Sequence, residues 1–513
     1  MGTSPAEYEN YFALMYTLYA FPNIILPFFG GYFVDTFGVC ISLLVSTSLL
    51  ALGQIIVAIG FSAKSWVAIL AGRFVFALGG ENLIVASSAL LADWFIGKEL
   101  AFSFGINLAL SRMGSVLNNY CSVYFARTVG VVFANWAGAI ICGLSVLSVI
   151  LTIPIDRAFD KSIADAKNAL AEEERERTDL AINETYGSLD KETDAIKDAK
   201  LANVPRKTTI AEDIRSMPLT FWVLIIITVL TYGIVIPFNN VASSLLLERT
   251  YFVATPPGCT LQYSGQCQSS TNPPTCFISD DMAPPLPTDV TVGPTFYAQV
   301  TAANVDCNDA TWTDGCASDY CSALAKAEQV VSVVMSIPYT ISGVASPIFG
   351  MAVDYYGQRA TMAAVSEVVL IAVHATLAWS TCSPVAPLVG QGIAYTTFAA
   401  VLWPAIPLLV KEEQRGLAFG IGTASYNLGC AIVPLLAASI YTHSENLYIP
   451  NVEILFVGMA VVAFVLGVLL IFLDKTQCNG ILNRGLVEEK TNPPVSEPVY
   501  SVIHRDEEGY KTE

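Results

Sequence analysis

Eleven runs of about twenty predominantly apolar residues constrain the fold of this 513-residue chain more than any other feature. A helix needs about 20 such residues to cross a bilayer, and only helices or closed barrels satisfy their own backbone there. The runs cover about 9–31, 39–60, 66–92, 101–126, 131–154, 219–241, 328–350, 360–381, 385–410, 417–440 and 452–473. They predict an all-α polytopic membrane protein. Composition agrees, since 54% of the residues are apolar and only 14% charged, against about 45–50% and about 25% in soluble domains. The net charge of −18 argues against nucleic acid as a partner. The first run is no signal peptide: no basic region precedes it, the first lysine being Lys64, and it is too long.

Lysine and arginine in the loops set the orientation. One set of loops holds Lys98, the 156–215 stretch with eleven basic residues, Arg359, Lys411, Arg415 and the tail. The opposite set holds Lys64, Arg127, Arg249 and Lys326, with no basic residue between the last two. The first set is therefore cytosolic, and the 250–325 loop faces a lumen or the outside. These boundaries predict a five-span bundle over 1–155, a solvated cytosolic linker with some surface helix over 156–215, a six-span bundle over 216–475 and a cytosolic tail over 476–513. The Asn-Glu-Thr sequon at Asn183 falls on the cytosolic side and is discounted.

Six of the twelve cysteines, Cys259, Cys267, Cys276, Cys307, Cys316 and Cys321, lie in the 250–325 loop. An even cluster in an oxidising compartment reads as a disulfide framework, and six cysteines allow fifteen pairings. A zinc site is the alternative, but no histidine accompanies them, so no metal is assigned. The other six cysteines are scattered through the spans and read as packing residues.

The two halves repeat. Gly31-x-x-x-Asp35-x-x-Gly38 recurs as Gly350-x-x-x-Asp354-x-x-Gly357, and Leu100-Ala101-Phe102-x-x-Gly105 recurs as Leu417-Ala418-Phe419-x-x-Gly422. Two matches at nearly one offset point to a duplicated set of spans, as in many secondary transporters. Two spans precede the Gly-Asp-Gly element in the second half and one in the first. The expectation is a twelve-span plan whose first span is missing here, through a shortened start or a genuine eleven-span chain.

The Gly-Asp-Gly element in a cytosolic loop resembles the signature of the major facilitator superfamily, where it joins spans two and three. Closer similarity is to the lysosomal dipeptide transporter branch. It is carried by Pro22-Asn23-x5-Phe29-Gly30-Gly31, by the run Gly72–Glu81, by Trp94-Phe95-x-Gly97-Lys98-Glu99-Leu100, and by Leu402-Trp403-Pro404 and Asn427-Leu428-Gly429. The resemblance covers nearly all spans. It implies a two-bundle transporter fold, lysosomal residence with the plasma membrane or another endomembrane as the alternative, no cofactor, and alternating access. It also implies a glycosylated luminal accessory protein. The long linker and the Cys-rich loop depart from the branch.

Ionisable groups inside spans cost roughly 2.5–3.5 kcal/mol or more each and are functional candidates. Glu81 lies about 22 Å into its span and Arg112 about 16 Å into the next, at 1.5 Å per residue, so both approach the midplane. An anion and a cation at one depth fit a structural ion pair. They also fit a receptor for a zwitterion, with Glu81 on the ammonium and Arg112 on the carboxylate, the roles the matching residues have in the dipeptide branch. Arg73, eight residues before Glu81, reads as a brace. Asp35, Asp354, Gly31 and Gly350 at cytosolic span ends are assigned to gating. In the second half Tyr232, Tyr339, Tyr395, Trp403, Tyr426 and Asn427 are candidates for a wall that tolerates varied side chains; Tyr232, Tyr339, Trp403 and Asn427 are assigned to substrate. Glu367 and His374 share a face at i, i+7 but sit in a peripheral span and read as structural.

The expected function is dipeptide export from lysosome to cytosol, by uniport because Glu81 is the one strong protonatable group in the site. Tyr500-Ser501-Val502-Ile503 resembles a sorting signal, with Tyr500 and Ile503 as its anchors. Alternatives are another small organic solute, such as an amino acid or organic anion, and a non-transporting sensor or scaffold. No phosphate-binding glycine loop or Ser/His arrangement supports an enzyme or an ATP-driven pump.

Overall fold

The computed structural model describes Met15 and residues 22–95, 99–185, 210–256, 259, 261–262, 279, 281–292, 295–307, 309–315, 317–444 and 447–485. Its elements are α1 (Leu26–Phe37), α2 (Val39–Ser62), α3 (Trp66–Phe95), α4 (Leu100–Thr128), α5 (Val131–Thr185), α6 (Ile210–Ser216) and α7 (Leu219–Leu246). After a segment with three short strands come α8 (Ala310–Thr313), α9 (Ser318–Met335), α10 (Ile337–Tyr356), α11 (Arg359–Trp379), α12 (Val385–Leu409), α13 (Arg415–His443) and α14 (Asn451–Gln477). Among the described residues, nine helices are long and apolar enough to cross a membrane. Two of the eleven expected runs fall outside that number. Of run 9–31 only Met15 and residues 22–31 are described, the last six of them in α1. The helix α4 has the length, at 29 residues, but Ser, Asn and Arg residues such as Asn107, Ser111, Arg112 and Asn118 interrupt its apolar run.

Two expected spans turn out longer than the apolar runs. The fifth span helix does not stop near residue 154 but continues as α5 to Thr185. Its extension is rich in Ala, Glu, Lys and Arg, strong helix formers that need no apolar environment. The run at 328–350 becomes α9 and α10, two helices with a break at Ser336, and α9 starts ten residues earlier on the luminal side.

Within the first half α3 lies along α2, and α5 covers the other side of α2. The glycines of the Gly72–Glu81 run explain the first pairing. A Cβ on Gly72 would sit 2.7 Å from the Val57 nitrogen, and one on Gly79 would sit 2.4 Å from the Ser46 carbonyl. Small residues let two backbones touch where no water drives helices together. In the second half α11 packs between α12 and α14, and α7 packs on α13 and α14. The main core runs through these helices, with Phe221, Phe238, Phe398, Phe419 and Phe456 fully buried. The two halves meet along α1–α13 and α4–α10.

The described residues between α7 and α9 form a small module. Strands β1 (Leu261–Gln262), β2 (Pro287–Val292) and β3 (Thr295–Gln299) form one sheet, β1 parallel and β3 antiparallel to β2. Val290, Val292, Val300, Trp312 and Cys321 make its own core. Cys307 and Cys321 are joined by a disulfide, and Cys259 is disulfide-bonded as well. Cys267, Cys276 and Cys316 lie outside the described residues, as do Tyr500 and Ile503. Asp309 caps α8 by accepting hydrogen bonds from the N–H and hydroxyl of Thr311, at 2.9 and 2.8 Å. Those donors hold its carboxyl below the ordinary aspartate range, so the cap persists further into acid.

Candidate functional site

The Gly72–Gly79 face of α3 is committed to α2, and Glu81 emerges on another side. Glu81 is 7% exposed, and its Oε2 has no hydrogen-bond partner. The Asn427 side chain, on α13, hydrogen-bonds the Glu81 carboxyl. Asn427 Nδ2 also donates to the Asn23 carbonyl at 3.0 Å. A primary amide has two N–H groups, so one Asn427 can tie α3 and the start of α1 to the second half.

Arg112 on α4 faces the second half. Its Nη2 donates to the Tyr395 hydroxyl. The guanidinium lies 5.1 Å from the centroid of the Tyr339 ring and 5.3 Å from that of Tyr395, both within cation–π range. Its Nε has no partner. Behind these rings Tyr232 stacks edge-on against Tyr395, Phe398 and Tyr426. Trp403 Nε1 donates to the Tyr232 hydroxyl at 3.1 Å, and Asn239 Nδ2 donates to the Tyr339 hydroxyl at 3.0 Å. Tyr339, Tyr395, Trp403 and Tyr232 thus form one wall, from three helices, facing a single cation.

Glu81 and Arg112 form no ion pair within 4 Å. Tyr426 lies within electrostatic reach of both Glu81 and Arg112. The structure therefore does not contain the structural ion pair, and each charged group keeps one unpartnered polar atom, Glu81 Oε2 and Arg112 Nε. Arg73 instead lies over its neighbour Phe76, 5.9 Å from the ring centroid. Two buried polar residues escaped the sequence reading. Asn23 is 2% exposed with both side-chain polar atoms unpartnered, and Thr423, one helical turn before Asn427, is 1% exposed with an unpartnered hydroxyl. The Pro22-Asn23 pair opening a helix was the available signal for the first.

The four gating candidates fall into two matched pairs, Gly31 with Asp35 at the α1–α13 contact and Gly350 with Asp354 at the α4–α10 contact. Asp35 accepts from the N–H groups of Gly416 and Leu417, both at 2.6 Å. Asp354 accepts from those of Ala101 and Phe102, at 2.9 and 2.8 Å. Each carboxylate thus caps the first turn of a helix in the opposite half, α13 or α4, where exposed N–H groups and the helix dipole favour an anion. The two repeated sequence elements are mates: the Gly-Asp-Gly element of one half docks on the Leu-Ala-Phe element of the other, twice. A Cβ on Gly31 would sit 2.2 Å from the Gly416 carbonyl, and one on Gly350 would sit 2.3 Å from the Ala101 carbonyl. Gly38 and Gly357 end the helices at φ 87° and 69°, a region other residues avoid. Arg359 binds Asp354 at 3.3 Å, and Arg415 binds Asp93 at 2.7 Å. Backbone-to-backbone contact leaves no room for a solute between these helix pairs at this end.

The family model described as Major Facilitator Superfamily matches residues 2–255 and 319–500. The chain belongs to the major facilitator superfamily. The stretch left unmatched in between is most of the Cys-rich luminal loop. Curated relatives named lysosomal dipeptide transporter MFSD1 align over 485 residues. That from Bos taurus is 24% identical, covering 92% of this chain and 79% of its own. The Homo sapiens protein is 24% identical over 92% and 80%, and the Danio rerio protein 25% over 94% and 83%. Among solved structures, the superfamily transporter FucP in its outward conformation aligns with a TM-score of 0.52 at 12% identity, over 92% of this chain and 91% of that one. The proton:xylose symporter XylE aligns with 0.52 at 13% identity, over 93% and 88%. These structural likenesses show the fold: a two-bundle, all-α architecture.

Proposed function

We propose that this chain carries dipeptides from the lysosomal lumen to the cytosol by alternating access. The observation that carries the reading is the separation of Glu81 from Arg112, each with an unpartnered polar atom. A dipeptide is a zwitterion whose charged ends lie several bonds apart. Its ammonium is matched by the Glu81 carboxylate, with Asn427 holding that carboxylate in place. Its carboxylate is matched by the guanidinium of Arg112, steered by Tyr339 and Tyr395. Charge-assisted bonds of this kind are the strong ones, and a dry site strengthens them further. The aromatic wall around Tyr232 and Trp403 makes apolar contact without selecting one side chain. The names of the relatives support both substrate and compartment.

In this reading the pairs Asp35–α13 and Asp354–α4 are the cytosolic gate, and the described state is closed to the cytosol. Rocking of residues 1–155 against residues 216–475, tethered by 156–215, breaks both caps together and opens the site inward. Transport is uniport, because Glu81 is the one carboxylate within the site. The luminal module is where a glycosylated accessory protein would dock, since its loop carries no Asn-x-Ser/Thr sequon of its own. Tyr500 and Ile503 serve sorting. The test is saturable alanyl-alanine flux in reconstituted vesicles. Flux present in the unchanged chain, and abolished in Glu81→Gln and Arg112→Ala variants that still fold, is the expected result. A folded, unchanged chain that neither binds nor moves any dipeptide sinks the proposal.

A further inference from the structure

Four ionisable side chains lie fully buried in the second half, away from the site just described: Asp474, whose oxygens are met by the Leu482 N–H and the Asn483 amide, and then Glu367 and His374 on α11 and Glu453 on α14. The last three are less well matched. Each keeps one polar atom without a partner: Glu367 Oε2, His374 Nε2 and Glu453 Oε1. His374 Nδ1 lies 2.6 Å from Glu453 Oε2, so that pair shares one proton. Glu367, about 10 Å deeper along α11 at seven residues' rise, meets the Thr231 hydroxyl of α7, with Oε1 2.6 Å from Thr231 Oγ1. The same hydroxyl lies 2.9 Å from the Ile227 carbonyl.

A hydroxyl has one proton and two short contacts to fill. If Glu367 is ionised, Thr231 must turn its proton to the carboxylate. One carboxylate oxygen then stays bare, and a full charge sits buried against a single neutral donor. Among the described residues, the surrounding elements offer no cation to offset it. On α7 and just beyond it, the charged residues are Glu248 and Arg249. Arg249 is spent on the carbonyls of Leu377, Ser380 and Cys382, and Glu248 on the N–H groups of Tyr448 and Ile449. On α11 itself, Arg359 is at the cytosolic end, held by Asp354. The helix α12 carries no Asp, Glu, Lys or Arg, and α14 offers Glu453 near its luminal end and Asp474 and Lys475 near its cytosolic end. Of the two other helices packed on α7, α13 has Arg415 at its first residue, held by Asp93, and His443 at its last, and α9 has Asp319, Lys326 and Glu328 in its first eleven residues, toward the luminal side. If Glu367 carries a proton instead, it donates to Thr231 Oγ1, Thr231 donates to Ile227, and the chain of bonds closes.

We infer that Glu367 and Thr231 form a proton-binding site inside the second bundle, occupied in this structure. The bound proton is the link that pins α7 to α11. Thr231 is the chain neighbour of Tyr232, so this link also fixes the rotation of α7 that presents Tyr232 to Trp403 and Tyr395. The site lies within one bundle, not between the two, and the proton belongs to the scaffold of the aromatic wall.

Infrared difference spectroscopy on the full chain in lipid nanodiscs tests this without any substrate. At neutral pH the unchanged chain should show a protonated-carboxyl C=O band that Glu367→Gln removes. The unfolding temperature of the unchanged chain should fall as pH rises, because the stabilising proton is lost. In Glu367→Gln, whose amide donates to Thr231 at any pH, that fall should be absent. Glu367→Ala removes the donor and should lower the unfolding temperature throughout, and the Gln variant stands alone if the Ala variant does not fold. Identical neutral-pH carboxyl bands in the unchanged and Gln proteins overturn the inference. So does an unfolding temperature that falls with pH equally in both.

Discussion

Replacing Asp35 with Asn should open the cytosolic end. The carboxylate accepts two N–H groups of the α13 first turn, both at 2.6 Å. An amide offers one oxygen to one of them and turns an N–H toward the other. Hydrogen bonds to a charged group contribute about 1.5–3 kcal/mol, and an anion at a helix N-terminus adds about 0.3–1 kcal/mol. Losing one such bond and the charge comes to about 2 kcal/mol, roughly thirty-fold in the closed-to-open ratio. Asp354→Asn removes the equivalent cap on α4 and should have the same effect. The two caps are distant from each other yet break in one motion, so their effects should add to about 4 kcal/mol, roughly a thousand-fold. Spin labels at Thr36 and Glu413, both exposed on the two sides of the first cap, would read the opening as a distance distribution. The single variants should gain a longer-distance population and the double variant should be dominated by it. A folded double variant with the unchanged distribution would refute the gate.

Other perturbations follow from the same geometry. Gly31→Ala and Gly350→Ala should each disfavour cytosolic closure, since the new Cβ would collide with a carbonyl at 2.2 or 2.3 Å, and cysteine accessibility at the cytosolic ends should rise. Arg112→Ala should cost about 3 kcal/mol of substrate affinity, roughly a hundred-fold in Kd, with Arg112→Lys in between because a point charge replaces a fork. Tyr395→Phe should weaken binding by only about five-fold, the worth of one hydrogen bond of about 1 kcal/mol, because Tyr339 still holds the guanidinium. Opening the Cys307–Cys321 loop, 14 residues apart, with Cys307→Ser should cost the luminal module about 3 kcal/mol and speed its proteolysis while the helices stay intact.

The spanning helices were legible because apolar runs and bilayer thickness leave few alternatives. The extension of α5 was only partly legible, since Glu- and Lys-rich segments form helices in water without an apolar stripe to mark them. The luminal sheet was hidden: β2 is the six-residue Pro287–Val292, and its Thr-Asp-Val-Thr-Val alternation sits among prolines and aspartates that suggest loop. The repeats revealed a duplication but not their docking, because a shared offset says nothing of which surfaces meet. That Asp35 caps α13 depends on the backbone N–H groups of Gly416 and Leu417, which no side-chain pattern announces. Glu81 and Arg112 stood out as charges in apolar runs. Tyr339 and Tyr395 stood out as wall candidates but not as partners of Arg112, since they come from distant helices and no sequence spacing joins them to it.

The most direct test of the account is competition for the site by dipeptides with one end blocked. If Glu81 reads the ammonium and Arg112 the carboxylate, then alanyl-alanine should compete with labelled dipeptide, while its N-acetylated and C-amidated forms should each lose at least tenfold in potency. The N-acetyl form should be no weaker against Glu81→Gln than against the unchanged chain, and the C-amide no weaker against Arg112→Ala. Equal competition by the free and blocked forms would show that the site does not read the two ends, and the assignment of Glu81 and Arg112 would fall.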